Sequence, residues 1–305
     1  MGEKREERPP VIRLTTELLK MLAEATEIEL EDVDFEFDEL ELQIRPGGLR
    51  LIPRMVPPAI EEKPEQLLRV DYAPPKQEYP GRIVEVKLGA TKADGGTRGR
   101  SIVVGGETAP AFYFFHSLTP HKPVIAFDVF DTPKVSLPGA VKRHVREVLE
   151  DPAAWSKLCV EKFEAEMINL HLVSVDPLID NTSPEGALKT VESVLQAVDV
   201  PIAVGGCGDP EKDLKVFEKI AAATAGERIL FNCVTLDMDI EKTAKLIKQY
   251  DHTVIAFTSM DMNRARELNR KLYEFLPREQ IVMDTTTAAL GYGLDYAFTV
   301  MERSR

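Results

Sequence analysis

Residues 201–212 read PIAVGGCGDPEK. An apolar run from Ile202 to Val204 enters a glycine turn at Gly205 and Gly206, and Asp209-Pro210 then opens a helix. An Asp side chain at an N-cap accepts an orphan N–H of the first turn, and proline at the first helical position has no N–H to leave unpaired. The unit is strand, loop, helix, and the chain repeats it. Short apolar runs at 124–128, 167–173, 202–204, 229–232, 253–257 and 281–284 each precede a segment of helical spacing. The stripes are Val141, Val145 and Val148; Ala187, Val191, Val194 and Val198; Leu214, Phe217 and Ala221; Ala244, Ile247 and Tyr250; Leu268, Leu272 and Phe275. Such alternation predicts an α/β fold with a parallel sheet whose ligand site lies at the carboxyl ends of the strands.

Upstream, Arg82–Leu88 alternates apolar and charged residues, Ser101–Val104 is a short apolar run, and ATKADGGTRG between them has the Asp-Gly and glycine-rich character of a turn. With no helix between them these strands cannot form a parallel crossover, so a hairpin is expected. Ile102–Gly105 is taken as the first strand of a TIM (β/α)8-type barrel. Seven strands are then counted through Ile281–Asp284, the eighth is not found within these residues, and 294–305 reads as a helix. The barrel domain is expected at 81–305. Residues 1–80 form an N-terminal extension of helix and β-strands: a helical stripe from Leu14 to Ala25, alternating acidic strands over Ile28–Ile44, and a proline-rich linker from Pro46 to Pro80.

The 305 residues, 44% of them apolar, suffice for one barrel and an extension. The net charge of -13 argues against a general nucleic-acid partner, since phosphate neutralisation needs clustered Lys and Arg. Much of the excess is local: Glu29, Glu31, Asp32, Asp34, Glu36, Asp38, Glu39 and Glu41 face no basic residue between 28 and 44. That face is either a solvated strand surface or a docking surface for a basic partner. No apolar run approaches the roughly 20 residues that cross a bilayer, and MGEKREERPP lacks the apolar core of a secretory signal. The expectation is a cytoplasmic protein without a membrane partner. Cys159, Cys207 and Cys233 are far apart, whereas an iron-sulfur cluster needs about four thiolates, some closely spaced. No cluster is expected in this chain, and the cysteines read as small buried hydrophobes.

The strand ends bring one set of groups to the mouth: Gly105, Gly106 and Glu107; Asp128 and Asp131; His171 and Ser174; Gly205, Gly206 and Gly208; Asn232; Thr258 and Ser259; Asp284, Thr285 and Thr286. No Lys ends a strand, which argues against a Schiff-base aldolase. The absence of His-x-His and H-E-x-x-H leaves a hydrolytic metal site unsupported. Asp128 and Asp284 with Asn232 either hold the ring nitrogens and amine of a heterocycle or cap loops. His171, alternating with Leu170 and Leu172, is either a satisfied mouth residue or a ligand. The glycines make neither G-x-G-x-x-G nor a P-loop, and suit the close approach of a large flat ligand or a partner's backbone. An anion at the helix after Asp209 would compete with the cap carboxylate.

Four stretches carry a resemblance: LPGAVKRHVREVLEDPAAWSKLCVEKF (137–163), MINLHLVSVDP (167–177), VLQAVDVPIAVGGCGDPEKD (194–213) and REQIVMDTTTAALGYGLDYAFTVMER (278–303). In order, spacing and wording, 85–303 resembles the small (delta) subunit of the corrinoid iron-sulfur protein of the acetyl-CoA decarbonylase/synthase system. The resemblance implies a TIM barrel whose mouth covers a corrinoid of the cobalamin type. That corrinoid is held by a large, cluster-bearing subunit with which the chain forms a heterodimer. It further implies methyl transfer from methyl-tetrahydropterin, through a methyltransferase, to acetyl-CoA synthase in the Wood-Ljungdahl pathway or methanogenesis. Methyltransferase and synthase would be transient partners, and the family runs on past the MER motif into a last strand and helix. No catalytic residue is mapped, since cobalt does the chemistry. The corrinoid or partner would be met by Gly105, Gly106, Glu107, Asp128, His171, Gly205, Gly206, Asn232, Thr258, Asp284 and Thr285. The alternative is a pterin-dependent TIM-barrel methyltransferase, with Asp128, Asn232 and Asp284 holding the pterin.

Overall fold

The computed structural model describes residues 43–45, 48–50, 80–109, 119–286 and 291–304. The chain divides into two units, Met1–Ala73 and Pro74–Arg305. In the first, β1 (Gln43–Arg45) pairs antiparallel with β2 (Gly48–Arg50). The helix expected at 14–25, the acidic run as far as residue 42 and the proline-rich stretch over 51–79 lie outside the described residues.

The second unit begins with the expected hairpin: β3 (Val86–Leu88) pairs antiparallel with β4 (Ile102–Val104). Six strands follow: β5 (Ala126–Phe130), β6 (Met167–His171), β7 (Ile202–Gly205), β8 (Leu230–Val234), β9 (Thr253–Phe257) and β10 (Ile281–Asp284). They form one sheet in chain order from β5 to β10, all parallel. Helices connect them: α1 (Gly139–Val145) and α2 (Pro152–Phe163) after β5, then α3 (Pro184–Ala197), α4 (Pro210–Ala223), α5 (Ile240–Gln249) and α6 (Met262–Tyr273), with α7 (Leu294–Ser304) following β10. Neighbouring helices pack side by side from α2 to α7.

One local device starts each helix from α2 to α6. Asp151, Ser183, Asp209, Asp239 and Asp261 each accept a first-turn N–H, and Pro follows the first three. Each cap is worth about 1 kcal/mol.

Alternation along the strands then divides their side chains between two faces. Ile168, Leu170, Val204, Phe231 and Val254 face the helices, where they are buried against Val191, Val194, Phe217, Ile220, Ile247 and Leu268. The rings of Phe217 and Phe231 meet edge-on at 5.0 Å. Met167, Ala203 and Leu230 lie on the other face and pack instead with Val86 and Leu88 of the hairpin.

The hairpin therefore sits across the amino end of the sheet. Gly89 N–H donates to Arg228 O (3.0 Å) and Gly99 N–H to Asp199 O (2.8 Å), both in loops that enter strands. A Cβ on Gly89, whose φ is +73°, would lie 2.7 Å from Pro201 Cγ, so the hairpin approaches too closely for any larger residue. Arg98 is the bolt: Nη1 donates to Val198 O (2.6 Å), Nη2 to Leu195 O (2.8 Å), and Nε pairs with Glu227 at 2.9 Å. It satisfies the last carbonyls of α3 that no intrahelical donor reaches.

Ile102–Val104 is consequently not a strand of the parallel sheet, a correction to the count. Its backbone is paired with β3 and its apolar side chains pack over the inner layer at the amino end. The parallel strands number six among the described residues, where seven are counted from the sequence.

Candidate functional site at the carboxyl ends of the strands

At their carboxyl ends the inner-facing positions turn polar. Asp128 on β5 lies opposite Asn169 on β6, Phe130 opposite His171, His171 opposite Gly205 on β7, and Gly205 opposite Asn232 on β8. Register thus brings four of the expected residues, Asp128, His171, Gly205 and Asn232, into one group.

Asn169 ties the group together. Its Nδ2 donates to Asp128 Oδ1 at 2.8 Å and lies 2.9 Å from His171 Nε2, while Asn232 Nδ2 donates to Asn169 Oδ1 at 3.4 Å. His171 Nε2 is 3.0 Å from the same Asp128 oxygen. Protonated, Nε2 donates to the carboxylate; unprotonated, it accepts from the amide. The His171 hydrogen bond, aided by Asn169, holds the Asp128 carboxyl below its ordinary range against the opposing effect of burial. Phe130 stacks on the imidazole with centroids 5.1 Å apart. The Asp128 side chain is 58% exposed and that of His171 25%, so both reach solvent.

Gly205 is buried and lets Asn232 and His171 close in on the middle of the group. A Cβ there would sit 3.0 Å from Asn232 O and 3.4 Å from His171 Nδ1. Gly206 has a different reason to be glycine: a Cβ would fall 2.1 Å from Asp213 Oδ1. That buried carboxylate accepts from Cys207 N–H (2.8 Å) and Gly208 N–H (2.9 Å), and burial pushes its pKa up. Asp209 takes the N–H groups of Glu211 and Lys212. The donors that an anion would use at the start of α4 are already occupied by these two carboxylates.

The remaining expected residues divide. Asp284 stands on β10, at the far edge of the sheet, and its Oδ1 accepts from Thr286 N–H at 2.8 Å. Thr258 is buried, donates its N–H to Asp284 O, and leaves its hydroxyl unpartnered. Thr285 Oγ1 lies 3.5 Å from Ser304 Oγ of α7. Asp131 accepts from both the N–H and the hydroxyl of Ser174 and ties the loops after β5 and β6; burial pushes its pKa up.

Gly105, Gly106 and Glu107 are not at this mouth. Gly106 N–H donates to Ile83 O, Ile83 N–H to Glu107 O, and a Cβ on Gly105 would lie 2.3 Å from Val84 O. Gly106 lies beside Pro120 and Glu85; Glu85 contacts His121, and Lys122 pairs with Glu166, just before β6. All of this is at the amino end, and both glycines, at φ of +91° and +88°, serve the turn out of the hairpin rather than the approach of a ligand.

Sequence reasoning missed Asn169 and Phe130, each two residues from a chosen neighbour on the same strand and so on the same face. The cysteines are unpaired, and burial pushes each thiol up to about 11. Among the described residues no group of three or more His, Cys, Asp or Glu is placed to hold a metal ion, and no helix is long and apolar enough to cross a membrane.

The fold and site define an α/β protein with its amino end covered by a hairpin and a polar group at the carboxyl ends of its strands. Residues 85–305 match the family described as CO dehydrogenase/acetyl-CoA synthase delta subunit, and the chain belongs to that family. It is 53% identical over 252 residues to the acetyl-CoA decarbonylase/synthase complex subunit delta of Archaeoglobus fulgidus, covering 81% of this chain and 56% of that protein. To the protein of the same name from Methanopyrus kandleri it is 41% identical over 290 residues, 93% of this chain and 72% of the relative. The subunit delta 1 of Methanosarcina thermophila is 50% identical over 230 residues, of which the chain spans 52% of the length. These names make the relatives subunits of a multi-subunit complex.

Proposed function

We propose that this chain is the corrinoid-facing subunit of a methyl-transferring complex. Its carboxyl-end face covers one side of a corrinoid held by a large, cluster-bearing subunit, in the passage of a methyl group from methyl-tetrahydropterin to acetyl-CoA synthase. The six parallel strands are then part of a (β/α)8 barrel, preceded by an extension over 1–80, in a cytoplasmic heterodimer.

The observation that carries this reading is the contrast between a sealed amino end and an open polar carboxyl end, in a chain of the delta-subunit family. The donor set suits a corrinoid. Asp128 and Asn232, linked through Asn169, offer hydrogen bonds to the polar periphery of such a ring. Bound cobalt would supply the methyl-transfer chemistry. The chain's own part is to orient the ring edge and to exclude water from the face it covers.

The test uses the full chain and the large subunit. Size-exclusion chromatography should give a one-to-one complex when the large subunit carries its corrinoid, and calorimetric titration of the isolated chain with methyl-tetrahydropterin should show no tight binding. Tight pterin binding without complex formation would overturn the reading in favour of a pterin-dependent methyltransferase. That alternative is weakened by Asp284, which bonds its own loop rather than joining Asp128 and Asn232.

A further inference from the structure

The group at the ends of β5, β6 and β8 has a hydrogen-bonding chemistry that the fold does not require. The inner layer below it is apolar, with Met167, Ala203 and Leu230 closed off by the hairpin, and the helix caps are made by other residues. Yet Asp128, Asn169, His171 and Asn232 are linked across the sheet by side-chain contacts of 2.8–3.4 Å, beside the buried Gly205.

The kinds of group present define their complement. An ionised carboxylate only accepts hydrogen bonds, whereas a carboxamide both donates and accepts. Asn169 Nδ2 is spent on Asp128 Oδ1 and His171 Nε2, so what faces a ligand is the acceptor-only Asp128 carboxylate and the second N–H of Asn232, whose first goes to Asn169 Oδ1. The ligand that satisfies both presents an N–H2 beside a carbonyl oxygen, which is a primary carboxamide. A carboxylate in the same place meets Asp128 with like charge and no donor.

We propose that this group is the specificity element of the corrinoid-facing surface, where it accepts a peripheral primary carboxamide of the corrinoid and rejects the corresponding carboxylate. The inference rests on the function proposed above, because it takes the corrinoid-bearing partner as the occupant of this face.

The test is calorimetric titration of the chain with the large subunit, empty, loaded with an amide-bearing corrinoid, or loaded with a corrinoid whose side-chain amides are hydrolysed to acids. Asp128→Ala should weaken binding of the amide-loaded subunit about tenfold, the scale of one hydrogen bond to a charged group, and leave binding of the empty subunit unchanged. The wild-type chain should bind the acid-loaded subunit more weakly than the amide-loaded one, and Asp128→Asn should narrow that difference. Unchanged affinity of Asp128→Ala for the amide-loaded subunit, equal losses with loaded and empty subunit, or no discrimination between amide and acid by the wild type overturns the inference and leaves the proposed function standing. Wild-type binding of the amide-loaded subunit no tighter than of the empty one overturns the proposed function itself.

Discussion

The two ends of the parallel sheet use the same inner face in opposite ways. At the amino end Met167, Ala203 and Leu230 are buried under Val86 and Leu88, and polar groups such as Arg98 and His252 are enclosed and hydrogen-bonded. At the carboxyl end Asp128, Asn169 and His171 stand half-open and bond mainly one another. Both faces of a parallel sheet are normally covered. Here the hairpin covers one half of the inner face, and the side chains of Asp128 and His171 on the polar half reach solvent among the described residues. The lesson is that polarity alone does not mark the site. Arg98 and Glu227 form an enclosed pair at the amino end that serves the fold, whereas the more exposed His171 and Asp128 pair is the one to which we assign recognition.

The strongest way to break this comparison is to remove the bolt. Arg98→Ala leaves Glu227 without its partner and the carbonyls of Leu195 and Val198 without a donor. Loss of one member of an enclosed ion pair costs about 3 kcal/mol or more, and the Arg98 and Glu227 side chains are only 4% and 13% exposed. Urea denaturation should show the midpoint falling accordingly. An unchanged midpoint would mean that the hairpin only rests on the amino end and does not seal it.

The carboxyl end is not wholly free for a ligand, and Gly206 sharpens that point. Gly206→Ala forces a Cβ into the Asp213 carboxylate, which holds the N–H groups of Cys207 and Gly208. Overpacking of this kind costs about 2 kcal/mol. In an Asp213→Ala background the same substitution should cost markedly less, because neighbours that share a contact are not additive. Equal penalties in both backgrounds, measured by the same denaturation, would show that Gly206 answers to something other than Asp213.

Much of the architecture is legible in the sequence because its signals are local. Asp209-Pro210 marks a cap and a helix start, and the Asp-Gly turn marks the hairpin. Which end of the sheet the hairpin covers is not local: it depends on Gly89 meeting Arg228, Gly99 meeting Asp199 and Arg98 meeting Glu227, contacts a hundred or more residues apart. Ile102–Val104 has the same apolar character as a parallel strand, so a count by composition includes it and carries Gly105–Glu107 to the wrong end. The site is half legible for a related reason. Asp128, His171 and Asn232 stand out as polar residues where apolar strands end, but Asn169 is hidden inside its strand and declares itself only through the two-residue period it shares with His171.

The smallest expected effect separates the two ends by pH. His252 is fully buried near the amino end, between β8 and β9: its Nδ1 accepts from Ile229 N–H at 3.1 Å, so Nε2 carries the proton and donates to Ala221 O at 3.0 Å. A second proton could go only on Nδ1, where it would displace the Ile229 bond, and burial lowers the pKa below the ordinary 6.5. The unfolded chain, with His252 near that ordinary value, therefore binds more protons than the folded chain at every pH between the folded and unfolded pKa. Stability is at its full value above about pH 6.5 and declines as pH falls below it, by at most about 1.4 kcal/mol per unit from this one group. His252→Gln, which keeps an acceptor and a donor but takes up no proton, should give a stability profile between pH 7 and 5 that is flatter than wild type by that slope. Parallel profiles for the two proteins would show that acid acts elsewhere than at this enclosed histidine of the amino end.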